Sequence, residues 1–210
     1  MSNYINQVSD SLKNHISELA NNPCLFLRNP NVDFSRKRKI DFKTFIGIMM
    51  NSGGATMSKE LLDFFDFNKN TPSVSAFTQQ RSKVLPEAFE YLFKSFTDDN
   101  LPTTNNYHGY RLIACEGSNL TIATNQKDAR LLLYNYCELI TTHVIKQMKN
   151  NDKTKQVNFT IAIYICREYL RNKRNLSPPD VINLIEKHVL PVRPGRKDPR
   201  KVKPQASVSF

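Results

Sequence analysis

The stretch GYRLIACEGSNLTIAT, residues 109 to 124, sets one carboxylate, Glu116, at the end of a β-rich run. Tyr110 to Glu116 alternate in character, Gly117 to Asn119 have turn composition, and Leu120 to Thr124 resume a strand. A carboxylate so placed suits a metal ligand, because the strand fixes the side chain and Gly117 lets backbone and substrate approach closely. One carboxylate cannot hold two metal ions. The plain alternative for Glu116 is a surface carboxylate at a strand end, paired with a lysine. His108, His143 and His188 are isolated, and none makes metal-ligand spacing with a cysteine or another histidine. Cys24, Cys115, Cys137 and Cys166 are too scattered for a zinc knuckle or a redox pair, so reduced, buried thiols are expected. No phosphate-cradling glycine loop and no serine, histidine and aspartate set is visible.

A second kind of chemistry is written in positive charge. Lysine and arginine number 30 against 19 acids, a formal net charge of +11 with a pI near 9.6, which favours a polyanionic partner over a membrane surface. Three segments carry this charge to places where it would be used. Arg36, Lys37, Arg38 and Lys39 form a basic run. SVSAFTQQRSKV, residues 73 to 84, reads as a helix with Val74, Phe77 and Val84 inward and Ser75, Gln79, Gln80, Arg81 and Lys83 projecting. Glutamine and arginine can pair with adenine and guanine edges, while lysine and serine suit phosphates; the alternative is an ordinary solvated helix face. The end of the chain, VRPGRKDPRKVKPQASVSF, sets Arg193, Arg196, Lys197, Arg200, Lys201 and Lys203 against Asp198, with prolines preventing a helix. Such an arm suits a phosphate backbone, and the alternative is a solubilising tail.

The elements that must position these groups are mostly helical. Val8, Leu12, Ile16 and Leu19 predict an amphipathic helix over 6–21, with Ser9 or Ser11 as caps. Phe42, Phe45, Ile46, Met49 and Met50 predict a second, capped by Asp41 and stopped by Gly53 and Gly54. Leu61, Leu62, Phe64 and Phe65 crowd a short third helix, and Pro86 opens a fifth with Phe89, Leu92, Phe93 and Phe96 inward. Residues 98–108 are a polar, turn-prone linker. After the hairpin, a long amphipathic helix begins at Ala129, 149–156 form a charged loop, and Phe159, Ala162, Ile163, Cys166 and Leu170 define another helix. Arg167, Arg171, Lys173 and Arg174 near its end complement the helix dipole. Ser177, Pro178 and Pro179 start a last helix with Val181, Ile185 and Val189 buried. The N-terminus has no secretory pattern, which predicts a cytoplasmic protein, and FTIAIYIC at 159–166 is too short to span a bilayer.

Taken together, RKRKIDFKTFIGIMM, SKELLDFF and SVSAFTQQRSKVLPEAFEYLF resemble the helical region that precedes the catalytic domain in DDE transposases of the insertion sequence 4 family. GYRLIACEGSNLTIAT resembles the first two strands of that family's ribonuclease-H-like core. QVNFTIAIYICREYLRNK, SPPDVINLIEKHVLPVRPGRKDPRKVKP and ASVSF resemble its C-terminal end. The resemblance implies strand cleavage and transfer at transposon ends by three carboxylates holding two divalent metals, usually magnesium. The first of these is an aspartate in the family, and Glu116 stands in its place with one more methylene. Asp128, Glu138 and Asp152 match neither of the others. Only residues 117 to 128 separate Glu116 from the next predicted helix, whereas the rest of such a core needs on the order of 100 residues.

The resemblance therefore implies an internally deleted chain. It retains DNA binding and lacks two of three catalytic carboxylates, with no cofactor expected and magnesium only if activity remained. Expected partners are double-stranded DNA at transposon ends, and a second copy or an intact transposase; no membrane is expected. Alternatives are a non-functional fragment, a regulator of an intact transposase, or an active metal-dependent enzyme. The expected architecture is mainly α: a helical bundle over 1–97, a linker at 98–108, a two-stranded hairpin remnant within 109–128, C-terminal helices over 129–190 and an extended basic tail over 191–210.

Overall fold

The computed structural model describes residues 3–36, 38–53, 55–100, 124–148, 155–171 and 175–192. Within them the chain is mainly helical: α1 Asn3–Asn21, α2 Phe42–Asn51, α3 Met57–Phe64, α4 Val74–Arg81, α5 Glu87–Asn100, α6 Thr124–Gln147, α7 Phe159–Arg171 and α8 Pro178–Lys187. A short 3-10 turn, Pro23–Phe26, follows α1.

Helix starts obey local chemistry. Asp41 caps α2 by accepting the Thr44 amide at 2.7 Å, as its position predicts, and Ser73 caps α4 by accepting that of Ala76 at 3.2 Å. At α8 the Ser177 amide donates to the Asp180 carboxylate at 2.9 Å, and the Ser177 hydroxyl donates to the same oxygen. These donors hold the Asp180 carboxyl below its ordinary value of 3.8. Ser9 and Ser11 are not caps, because α1 begins at Asn3 and both lie within it. Likewise α2 ends at Asn51, ahead of the glycines expected to stop it.

One helix organises the rest. α6 packs against α1, α2, α5, α7 and α8, most extensively against α5. Its buried positions, from Ala129 through Tyr136, Cys137 and Thr141 to Val144, form one broad face, as its spacing predicts, while Leu131, Tyr134 and Ile145 stand exposed on the other side. Tyr136 is fully buried; its hydroxyl donates to Ser9 Oγ at 3.4 Å, and burial pushes its pKa well above the ordinary value. α1 is tied across the bundle at further points, by Tyr169 donating to Asn6 at 2.6 Å and Asn100 to Ser11 at 2.8 Å. A single hydrophobic cluster thus runs from Ile5 to Ile185 and takes side chains from both flanks of the segment 101–123.

Phenylalanine fills much of this core in a chain without tryptophan. Phe45 stacks on Phe77 with ring centroids 5.5 Å apart and meets Phe89 edge-on at 6.4 Å.

The β structure differs from expectation. The two strands of the described residues are β1 Lys155–Val157 and β2 Val189–Pro191, antiparallel, with Gln156 opposite Leu190. The predicted loop over 149–156 therefore ends in a strand, and the predicted tail from 191 begins in one. The expected hairpin lies outside the described residues except at Thr124, which opens α6 instead of closing a strand. The thiols also divide: Cys137 and Cys166 are buried, whereas Cys24 is exposed, contrary to the expectation of burial throughout. Cys115 lies outside the described residues.

Two measurements test this fold. Phe45→Ala should lower stability by about 3–5 kcal/mol in urea unfolding, against about 0.5 kcal/mol or less for Leu25→Ala on the surface. Because the Asp180 pKa is depressed on folding, its contribution is present above the unfolded carboxylate range and is lost as pH falls through the folded value. Asp180→Asn should therefore flatten the acid limb of the stability–pH curve while leaving its neutral and basic limb unchanged in shape.

Candidate nucleic-acid interface

α4 is eight residues long and is held at both ends. Its start is capped by Ser73, and its far end runs into an antiparallel bridge between Leu27 and Val84, flanked by Arg28 N–H to Lys83 O at 2.8 Å and Leu85 N–H to Phe26 O at 2.9 Å. Phe77 anchors its underside in the phenylalanine cluster. Short, capped and pinned, the helix presents its outer residues from a fixed frame.

The outer residues are fewer than the sequence suggested. Ser75 and Gln79 are exposed and share a face, with Gln79 Nε2 donating to Ser75 Oγ at 3.5 Å. Gln80 is 4% exposed, and its carbonyl accepts from Lys83 Nζ at 3.3 Å, so it faces the core side. Val74, expected inward, is 37% exposed at the first turn. Lys83 also lies over the Phe34 ring, 5.9 Å from its centroid. Arg81 is half-buried in the last turn, where its charge complements the helix dipole.

The basic run comes to the same place. Arg38, Lys39 and Ile40 form one wall of a cleft of about 550 Å³, and Thr71, Ser73, Ala76, Gln79 and the edge of Gln80 from the α4 region form another. Ile40 is buried and roots this wall, leaving Arg38 and Lys39 exposed. Arg36 is exposed beside them, and no ion pair among the described residues engages Arg36, Arg38, Lys39 or Arg81. Lys37 lies outside the described residues, as do Arg193, Arg196, Lys197, Arg200 and Lys201 of the basic arm. Glu116 lies outside them too. Among the described residues no three acids, histidines or cysteines stand together to hold a metal ion, so the magnesium implied by the resemblance finds no donor set there.

A polar centre that the sequence did not disclose joins α7 to α2 and α3. Glu60 is buried, and one of its oxygens accepts the Gly53 and Ala55 amides, both at 2.8 Å. Its other oxygen is 3.6 Å from the Arg167 guanidinium, which also donates to the Asn51 carbonyl at the end of α2. One turn on, Arg171 donates to the Asp63 carbonyl near the end of α3, pairs with Glu168 at 3.5 Å and lies 5.5 Å from the Phe64 ring centroid. Burial pulls the Arg171 pKa below its ordinary value, against the attraction of Glu168 and Asp66. Spacing four apart placed both arginines on one face of α7; nothing local told what that face would meet. Gly53 makes room for it, since a Cβ there would run into the end of the Arg167 guanidinium.

No helix of the described residues is long and apolar enough to cross a membrane. No family model, no curated protein and no solved structure matches this chain.

Gly53→Ala should push the Arg167 guanidinium aside and lower stability by only about 1 kcal/mol, because the guanidinium can swing away and Glu60 keeps the Gly53 and Ala55 amides. Thermal unfolding of Gly53→Ala beside Arg167→Ala and the double variant checks it: the double should unfold close to the single Arg167→Ala.

Proposed function

We propose that this chain is a transposase-derived protein that binds duplex DNA without cleaving it. The observation that carries the reading is the cleft in which Arg38 and Lys39 stand, without acidic partners among the described residues, beside the exposed polar face of α4. An α-helix with its side chains is about 10–12 Å across, which suits the roughly 12 Å width of a DNA major groove. In that position Gln79 reaches base edges, while Ser75, Arg38 and Lys39 take phosphates on either side. The net charge of +11 supports the same partner. The resemblance to insertion sequence 4 transposases supplies the target, transposon ends, and the deletion removes the means to cut them. A protein that occupies those ends without chemistry would act as a regulator of an intact transposase.

Fluorescence anisotropy with a short duplex across a salt series tests the proposal. Affinity should fall linearly with salt on logarithmic axes, and Arg38→Ala with Lys39→Ala should reduce that slope by about two. Gln79→Ala should weaken discrimination between sequences by about fivefold or more and leave the slope alone. Absence of salt-sensitive affinity in the unaltered protein would sink the reading.

A further inference from the structure

The geometry points to a second DNA contact: the cleft between α3 and α7 is a pocket for an unpaired nucleobase, an inference that rests on the DNA-binding reading above. The cleft encloses about 510 Å³. Two aromatic rings on its lining stand in water, Phe67 at 69% exposure and Tyr164 at 51%. Phe67 is held out by its backbone. Asp66 and Phe67 both take the left-handed conformation, with φ of 53° and 55°, and the Phe67 amide is fixed to the Leu62 carbonyl at 2.9 Å. Glycine is the usual residue for such a turn at a helix end. An aromatic residue there is a genuine outlier, and strain of this kind is retained where surroundings or use require it.

The charge of the cleft selects among ligands. Its lining carries three cations and four carboxylates, and the two arginines are already bound to backbone carbonyls and acids. A free phosphate gains little from that balance. A neutral planar heterocycle with donors and acceptors on its edge gains more, stacking on Phe67 or Tyr164 and donating its exocyclic amine to a carboxylate oxygen of the wall, which can accept more than one hydrogen bond. Lys59, exposed at the rim, is placed for the phosphate next to that base. Cytosine, adenine and guanine carry that amine, and thymine, with only its ring N3–H to donate, fits less well.

The test compares a paired duplex with the same duplex carrying a single-nucleotide cytosine bulge, and with a thymine bulge, using the full chain and anisotropy. The cytosine bulge should bind about tenfold tighter than the paired duplex, and the thymine bulge less tightly than the cytosine one. Phe67→Ala and Tyr164→Ala, both at exposed positions and checked for helicity by circular dichroism, should each remove most of that difference and spare affinity for the paired duplex. Arg38→Ala with Lys39→Ala should weaken all three duplexes alike. A 2-aminopurine placed in the bulge should lose fluorescence on binding, and keep it with Phe67→Ala, which separates stacking from a preference for bent DNA. Equal binding of paired and bulged duplexes, or a bulge preference that survives both aromatic substitutions, overturns the inference while the DNA-binding reading stands. Failure to bind any duplex overturns both.

Discussion

α6 buries one broad face against five other helices, and the remainder of the bundle follows from that constraint. With Leu132, Tyr136, Ile140 and Val144 pointing one way and Cys137 and Thr141 turned round the side, no single neighbour can cover it. α5 takes the largest share, α1 and α2 come from the start of the chain, and α7 and α8 from its end. Each of these helices is amphipathic and has its own apolar stripe to bury. The hydrophobic effect therefore joins the two flanks around a common axis, and the position of α4 on the outside is a by-product of what α2 and α5 must do inside.

Polar contacts then fix how the flanks meet. A helix end leaves carbonyls that need donors, and α2 and α3 obtain theirs from Arg167 and Arg171 of a helix more than 100 residues later in the chain. An arginine with a planar fork of donors can serve a carbonyl and a carboxylate together, which lysine cannot do in one geometry. The arrangement explains why Glu60 tolerates burial: two backbone amides and a guanidinium replace the water it loses. It also places the α3–α7 cleft at the junction of the flanks, while the α4 cleft belongs to the N-terminal flank alone.

Most helices were legible because their signals are local. Asp41 before Phe42, and Ser177 ahead of two prolines, announce helix starts within one turn of chain, and the spacing of Phe89, Leu92 and Phe96 announces the buried face of α5. Non-local facts were not legible. β1 and β2 are three residues each, separated by two helices, and Pro191 disguises the second as loop. Gln80 reads as an outward polar arm until Lys83 and the underside of α4 supply it with an inward environment. Of the residues the sequence offers for DNA, Arg38, Lys39, Gln79 and the largely buried Gln80 line one cleft, Ser75 shares the exposed face of Gln79, and Arg36 is exposed. Phe67 carried no local sign of its exposure, since that depends on two left-handed residues in succession.

The ladder of β1 with β2 closes α7 and α8 into a clasp whose two ends emerge side by side. Pro191 is consequently fixed beside Lys155, at the opposite end of α7 from Arg171, about 20 Å away at 1.5 Å per residue. The two poles of α7 thus answer to different neighbours: Arg171 fastens one to α3, and the ladder draws α8 back against the other.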